Sequence, residues 1–411
     1  MKLILTFWFL ISFSFSQDIF VQEEEKNLYR SAVEYSFDEV LDNGAYTFIL
    51  DNLSGVINII GHTGSGSHLI IDNRVRAVSN KNAIKILKNS QINVYHDQNK
   101  KKVSIKKLSE RYDHKIITNI DLHIPINTNI KGSIKNSDVK IGQFRGSLNL
   151  KAESTDSDLN NLSGNVVFSN KGGDINAKKL NGTIRLHVVS GNINMEQCDG
   201  NIFTSTENGS IEMSKIKGEI ESITTLGNIN ITNADSKNCS ISLNVGNLIA
   251  RNCNANIKAN IDVGDITIKD IKGDLTLFTG KGIINLNDII GDTKCNTNFG
   301  NITGINLFGS VSASSELGDL NINKGYNSFL TNHKIDLKTK RGSVALRIPS
   351  DLPFLIRAHC DNLNSKDAIS SDIALIEEIY PTKVIAKGKI KNGTINCNIQ
   401  SNYGPISINT N

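Results

Sequence analysis

Five aspartates crowd one short stretch of the chain: Asp265, Asp270, Asp274, Asp288 and Asp292. Carboxylates grouped this closely hold calcium, or share acid and base roles in glycoside cleavage. Asp270 and Asp288 occupy the same place in successive repeats of this region, so they stack as a two-carboxylate ladder. The plainer reading makes both of them turn residues facing solvent. Sugar-cleaving faces also offer aromatic platforms. Aromatic residues make up 6% of this chain, and its single tryptophan, Trp8, falls in the N-terminal leader described below.

Other chemistry is thinner still. The histidines, His62, His68, His96, His114, His123, His187, His333 and His359, are scattered without zinc-site spacing to cysteine or acid. His62 and His68 flank a glycine-serine loop and could meet across it, although an ordinary surface loop accounts for them better. Gly61 to Ser67 has the glycine content of a phosphate loop without its Gly-Lys-Ser/Thr ending. Calcium-binding nonapeptide rolls share a nine-residue period, but their Gly-Gly-x-Gly-x-Asp signature is absent. Lys100, Lys101, Lys102, Lys106 and Lys107 form the densest basic run, which reads as a solvated hairpin rather than a nucleic-acid stripe. No catalytic, cofactor-binding or metal-binding residue is therefore assigned, and no cofactor is expected.

What would position any site is a repeat. Glycine recurs at nine-residue steps from Gly164 through Gly173, Gly182, Gly191, Gly200, Gly209 and Gly218 to Gly227. The register slips by one residue and resumes at Gly246, then runs from Gly264 to Gly318, with Ala255 where a glycine is due. Alternate halves differ, so the unit is 18 residues. Stacked units give columns: Ile175, Ile193, Ile211, Ile229, Leu248, Ile266, Ile284, Ile302 and Leu320 form one, and Ile184, Ile202, Ile220, Cys239, Ile257 and Leu275 another. Apolar residues two apart point to one side of a strand. Glycine followed by Asp174, Asn192, Asn228, Asn247 or Asp265 makes the turn. A single unit cannot bury its apolar side, whereas stacked units can. The fold expected is all-β: a parallel β-solenoid, β-helix-like, with 18-residue coils, a strand-rich N-terminal region and a C-terminal cap. About ten coils at ~4.8 Å each make a rod of about 50 Å.

The cysteines take places in that frame. Cys198 and Cys253 share a column three units apart, and Cys239 and Cys295 lie in inward columns. On the order of 14 Å separates such pairs, beyond the ~7 Å reach of a disulfide, so these four read as small buried apolar groups. Cys360 and Cys397 lie outside the regular array and are open to pairing.

The flanks are less regular. Before the array, Phe48 to Leu50, Val56 to Ile60, His68 to Ile71 and Ile120 to Ile124 read as strands. Ala83 to Leu87 reads as a short helix, and Gln91 to Tyr95 with Lys102 to Lys107 as a hairpin. Ser137 to Gly146 is an early, imperfect unit and Ser157 to Gly172 a shortened one. After it, Arg341 to Leu346 adds a strand, 361–382 is polar and loop-like, and Gly388 to Ile399 and Gly404 to Ile408 supply the last strands.

Met1-Lys2, an apolar run from Leu3 to Phe15, and small residues at Ser14 and Ser16 make a secretory signal peptide. Its core is too short to span a membrane, and no later stretch approaches ~20 apolar residues. The chain divides into 1–16 signal peptide, 17–43 leader, 44–136 strand-rich cap, 137–326 repeats, and 327–411 C-terminal coils and cap. The formal charge of +4 falls to +3 with loss of Lys2, near neutral for 411 residues.

Taken together, the signal peptide, Asn52-Leu53-Ser54-Gly55-Val56-Ile57-Asn58-Ile59, the Ile124-Pro125 strand end, the Gly-Asp/Asn-Ile repeats and Gly342-Ser343-Val344-Ala345-Leu346-Arg347-Ile348-Pro349 carry a resemblance. The chain resembles the putative-adhesin, β-strand-repeat family of exported bacterial proteins, over most of its mature length. Ala255 and the slip near Ser236 depart from the pattern. The resemblance implies a repeat fold outside the cytoplasm and no known catalytic residues. The function expected is a non-enzymatic exported adhesin or envelope scaffold. It would sit in the periplasm, on the cell surface or in the medium, and bind a surface, glycan or protein ligand. Nucleic acid and a mature transmembrane segment are excluded. The alternatives are a carbohydrate-active enzyme on a β-helix scaffold, and a homotypic module that self-associates through the ends of its solenoid.

Overall fold

Between Asn129 and Lys324, most strand residues face the residue 18 positions further on, or 19 across the register slip, in parallel. A computed structural model, which describes residues 20–361 and 367–411, is 70% strand and 3% helix, with one large, mostly parallel sheet. The signal-peptide reading lies outside the described residues.

The apolar columns of the sequence are columns in space. Ile175 pairs with Ile193, Ile193 with Ile211, Ile211 with Ile229, and Ile229 with Leu248. The column runs on through Ile266, Ile284, Ile302, Leu320, Val344, Ile406 and Ile369. In the other direction it passes through Ser157, Val139 and Ile57 to Ile120. That makes sixteen positions, more than the ten units legible in the sequence. Its isoleucines are essentially inaccessible, and burying each contributes about 1.5–3 kcal/mol. A second face carries the column of Ile184, Ile202, Ile220 and Cys239.

Two kinds of corner keep the ladders in step. At the first, glycine is obligatory: Gly246 has φ +148°, and a Cβ there would lie 1.7 Å from the Gly227 carbonyl oxygen. The next residue then bonds upward. The Ser210 amide donates to Asn192 Oδ1 at 2.9 Å, and the Asp265 amide to Asn247 Oδ1 at 2.9 Å. Inside the corner, Thr206, Thr224 and Thr279 donate Oγ1–H to the carbonyls of Gly191, Gly209 and Gly264 at 2.8–3.1 Å. At the second corner no glycine occurs. Gln143, Lys179, Lys215, Asp270, Asp288 and Asn306 all hold φ between +54° and +56°. The register slip is a bulge between Ser236 and Asn238.

Several expectations are corrected. Ser157 to Gly172 is not a shortened unit: Ser157 pairs with Ile175 and Gly164 with Gly182, at full spacing. Residues 361–382 are not simply loop, because they include strands Ile369–Ser371 and Leu375–Tyr380. The stretch Gly388 to Ile399 is two strands, Lys383–Lys389 and Ile395–Ser401. Phe354–Asp361 is a strand that the apolar period did not announce.

Chain order and spatial order part at both ends. Strand Thr47–His62 lies between Asn129–Phe144 on one side and Lys102–Lys107 with Ile116–Pro125 on the other. Antiparallel strands then extend outward: Ile92–Asp97 beyond Lys102–Lys107, and Ser67–Arg76, Leu28–Phe37 and Gln22–Glu25 beyond Ile116–Pro125. The leader stretch thus holds two strands. Helix Asn80–Asn89 is N-capped by Ser79 and packs Ala83, Ile86 and Leu87 with Tyr29 and Val75 in a small separate core. At the far end, Phe354–Asp361 lies outside Ile395–Ser401, followed by Lys383–Lys389 and Leu375–Tyr380.

Candidate binding face

The aspartates singled out above serve the backbone. Asp270 and Asp288 are second-corner residues with φ +55° and +56°, a conformation that Asp and Asn tolerate best among residues with a side chain. Asp288 accepts from Asn306 Nδ2 at 2.7 Å, and Asp270 stands 3.9 Å from Lys269 Nζ. Asp265, Asp274 and Asp292 each accept the amide of the next unit, from Ile283, Asp292 and Ser310, at 2.8–2.9 Å. Among the described residues, no group of three or more His, Cys, Asp or Glu is placed to hold a metal ion.

The other sequence candidates stay apart. His62 Nδ1 lies 3.2 Å from the Thr63 carbonyl oxygen, whereas His68 faces His123 across a strand pair. Four of the five lysines of the basic run are solvated or partly so. Lys107 is the correction: it is buried against Asp113 Oδ1 at 2.7 Å. All six cysteines are buried and free. Burial pushes the thiols of Cys239, Cys295 and Cys397 up to about 12. Cys360 and Cys397 do not pair. Cys397 faces Ile356 while Cys360 faces Ser401, a separation of about 13 Å along the strands.

What the structure assembles instead is an outer groove of about 1110 Å³ on the Ile175 face, lined by Asn58, Asp121, Asp158, Asn176, Asn194 and Glu212 among others. These residues are the outward alternates of the apolar column, facing one another in the order Asp121, Asn58, Lys140, Asp158, Asn176, Asn194, Glu212, Asn230. Amides bridge the units: Asn58 Nδ2 to Asp121 Oδ1 at 2.7 Å, Asn176 Nδ2 to Asp158 Oδ1 at 3.1 Å, and Asn194 Nδ2 to Asn176 Oδ1 at 3.0 Å. Beside them Glu196 accepts from Lys178 at 2.8 Å and from Lys215 at 3.5 Å. The Lys178 hydrogen bond holds its carboxyl below the usual range. The amides recur at a spacing set by the sheet, and Asn230 Oδ1 is buried without a hydrogen-bond partner. Such a row can bind hydroxyls or peptide groups, and it presents no nucleophile beside a base. Its signal was present at the same 18-residue spacing as the glycines, in the polar alternates of the strands.

A ridge of exposed apolar residues follows the first corner through Leu226, Val245, Val263, Phe299 and Leu317, each 38–50% accessible. No helix among the described residues is long and apolar enough to cross a membrane.

No family model matches the chain, and no curated protein matches it. A search of solved structures matches the crystal structure of a putative cell adhesion protein from Clostridium sporogenes ATCC 15579, at 10% identity, over 92% of this chain and 100% of that one, with a TM-score of 0.15. A likeness that low carries no argument about this chain.

Proposed function

We propose that the chain is an exported, non-enzymatic parallel β-solenoid that binds a glycan or protein ligand on a cell surface or in the envelope. Its 18-residue coils wind through the two kinds of corner, and sixteen layers at ~4.8 Å make a rod of about 70 Å. Export rests on the leader from Met1 to Ser16. The observation that carries the binding reading is the Asn-rich ladder along the outer groove. A rigid rod holds these amides at fixed spacing, so a repeating ligand meets many of them with little loss of freedom on either side.

The test is binding of the purified chain to glycan arrays, whole cells and envelope fractions, beside the variants Asn176→Trp and Asn194→Trp. These fill the groove from outward positions and leave the buried column untouched. The expected result is saturable binding by the wild type, weakened about tenfold or more in either variant, or about 1.4 kcal/mol. Absence of binding to every surface, or equal binding by all three proteins, would remove the adhesin reading.

A further inference from the structure

The two ends of the ladders leave strand edges without backbone partners among the described residues. On the Ile184 face, the last strand at the N-terminal end is Ile92–Asp97, paired with Lys102–Lys107 alone. The last at the C-terminal end is Leu375–Tyr380, paired with Lys383–Lys389 alone. We infer that these two edges join, so that the chain assembles head to tail with a second copy of itself. The inference rests on the wound-stack reading above.

Sense, register and surface all fit. Leu375–Tyr380 is two antiparallel steps from Phe354–Asp361 and so runs with the repeat strands. Ile92–Asp97 is one antiparallel step from Lys102–Lys107 and runs against them. Stacked end to end they meet antiparallel, the sense that pairs more stably. Followed across the face, the column of Arg357, Asn398 and Asp336 carries Ile376 at one end, while Ile49 and Ser104 carry Tyr95 at the other. The join therefore sets Ile376, 75% exposed, against Tyr95, 64% exposed. One column over, Leu375 meets His96, and three further on Ile379 meets Ile92.

The opposite face leaves room. At the C-terminal end it stops at Ile369–Ser371, level with Phe354–Asp361 and two strands short of Leu375–Tyr380. At the N-terminal end it overhangs, because Leu28–Phe37 and Gln22–Glu25 reach two strands past the level of Ile92–Asp97. The overhang of one copy lies where the next is recessed. Edge charge is heaviest on the overhang. Gln22–Glu25 carries three acids in four residues, charges that discourage strand addition, whereas Leu375–Tyr380 carries two in six, Glu377 and Glu378, and Ile92–Asp97 only the terminal Asp97. A head-to-tail join of this kind does not close, so it propagates as a filament.

Sedimentation and light scattering over a concentration series test the inference on the full chain. The wild type should grow in whole multiples of its monomer mass. Ile376→Lys and Tyr95→Lys, both at exposed outward positions, should each remain monomeric with an unchanged melting temperature. Mixed in equal amounts, the two variants retain one complementary pair of free edges, so the mass should double and stop there. A wild type that stays monomeric at its solubility limit overturns the inference, as does growth that persists in both variants. Small-angle scattering of the monomeric protein separates the two readings. A rod longer than the ~70 Å of the sixteen parallel layers, because outer strands extend both ends, leaves the stack standing without assembly and removes only the join, whereas a compact particle removes the stack itself.

Discussion

Lys324 takes the place beside Leu307 in an otherwise apolar column and turns its Nζ back onto the Leu307 carbonyl oxygen at 2.9 Å. The same ammonium donates to the carbonyls of Phe308 at 2.7 Å and Gly325 at 2.9 Å, which uses all three of its protons. The side chain is fully buried. It lies where the spacing lengthens, because Leu320 pairs with Val344, 24 positions on, rather than with a residue 18 away. The surrounding titratable groups are Asp292, whose Oδ2 accepts from Asn332, and His333, which shares the Phe308 carbonyl.

Burial pushes the Lys324 pKa down from 10.5 to about 7, against the pull of Asp292. The unfolded chain keeps the ordinary value, so between about pH 7 and pH 10.5 it binds more protons than the folded chain. The contribution of this group to stability therefore rises with pH across that window and is smallest below pH 7. Lys324→Met removes the titration. Denaturant unfolding of both proteins at pH 6.5, 8 and 10 should show the wild type gaining on the variant by a few kcal/mol from the lowest pH to the highest. A constant difference would mean that the amine does not titrate in this range.

Glycine at the first corner is a steric requirement, and its strength is measurable. In Gly246→Ala the new Cβ meets the Gly227 carbonyl oxygen at 1.7 Å with φ at +148°. The strand must shift, and a loss of about 3 kcal/mol or more is expected from backbone strain together with broken ladder bonds. Ala255 stands in the other glycine row and has no such φ, so Ala255→Gly should cost only about 1 kcal/mol through chain entropy. Thermal unfolding of the two variants should rank them in that order. Equal melting temperatures would show that the corner is not the constraint.

Asp270 and Asp288 were the acids that their types and spacing most favoured for chemistry. The structure makes them corner residues, so Asp270→Asn and Asp288→Asn should each change stability by less than about 0.5 kcal/mol. Calcium should leave the wild-type melting temperature unmoved. A calcium-dependent rise that disappears in either variant would restore an ion site at the ladder.

Much of this architecture was legible in the sequence because strands that pair in parallel at a fixed spacing repeat their physics. A residue that faces its own counterpart 18 positions on must meet the same burial, so Ile175, Ile193, Ile211 and Ile229 declare the column before any coordinates exist. Gly246 and its companions are legible for a similar reason: no side chain fits over the carbonyl below. The second corner was invisible, because Lys179, Lys215 and Asp270 adopt the left-handed region without glycine, and the neighbouring strands impose that conformation. Cys360 and Cys397 were left open by spacing and separated by register. Lys324 looks like any exposed lysine until the inserted turn brings three carbonyls around it.

The amino-acid order alone determined the strand class, the period and the buried columns, because these depend on alternation and spacing along one chain. Tertiary structure decided which strands are outermost. Thr47–His62 ends up inside the ladders although fewer than fifty residues precede it, and Leu375–Tyr380 ends up at an edge although Ile395–Ser401 follows it. Backbone pairing between distant segments has no short-range signature, so the exposure of Ile376 and Tyr95, and the groove beside Asn176, could be read only once the strands were in place.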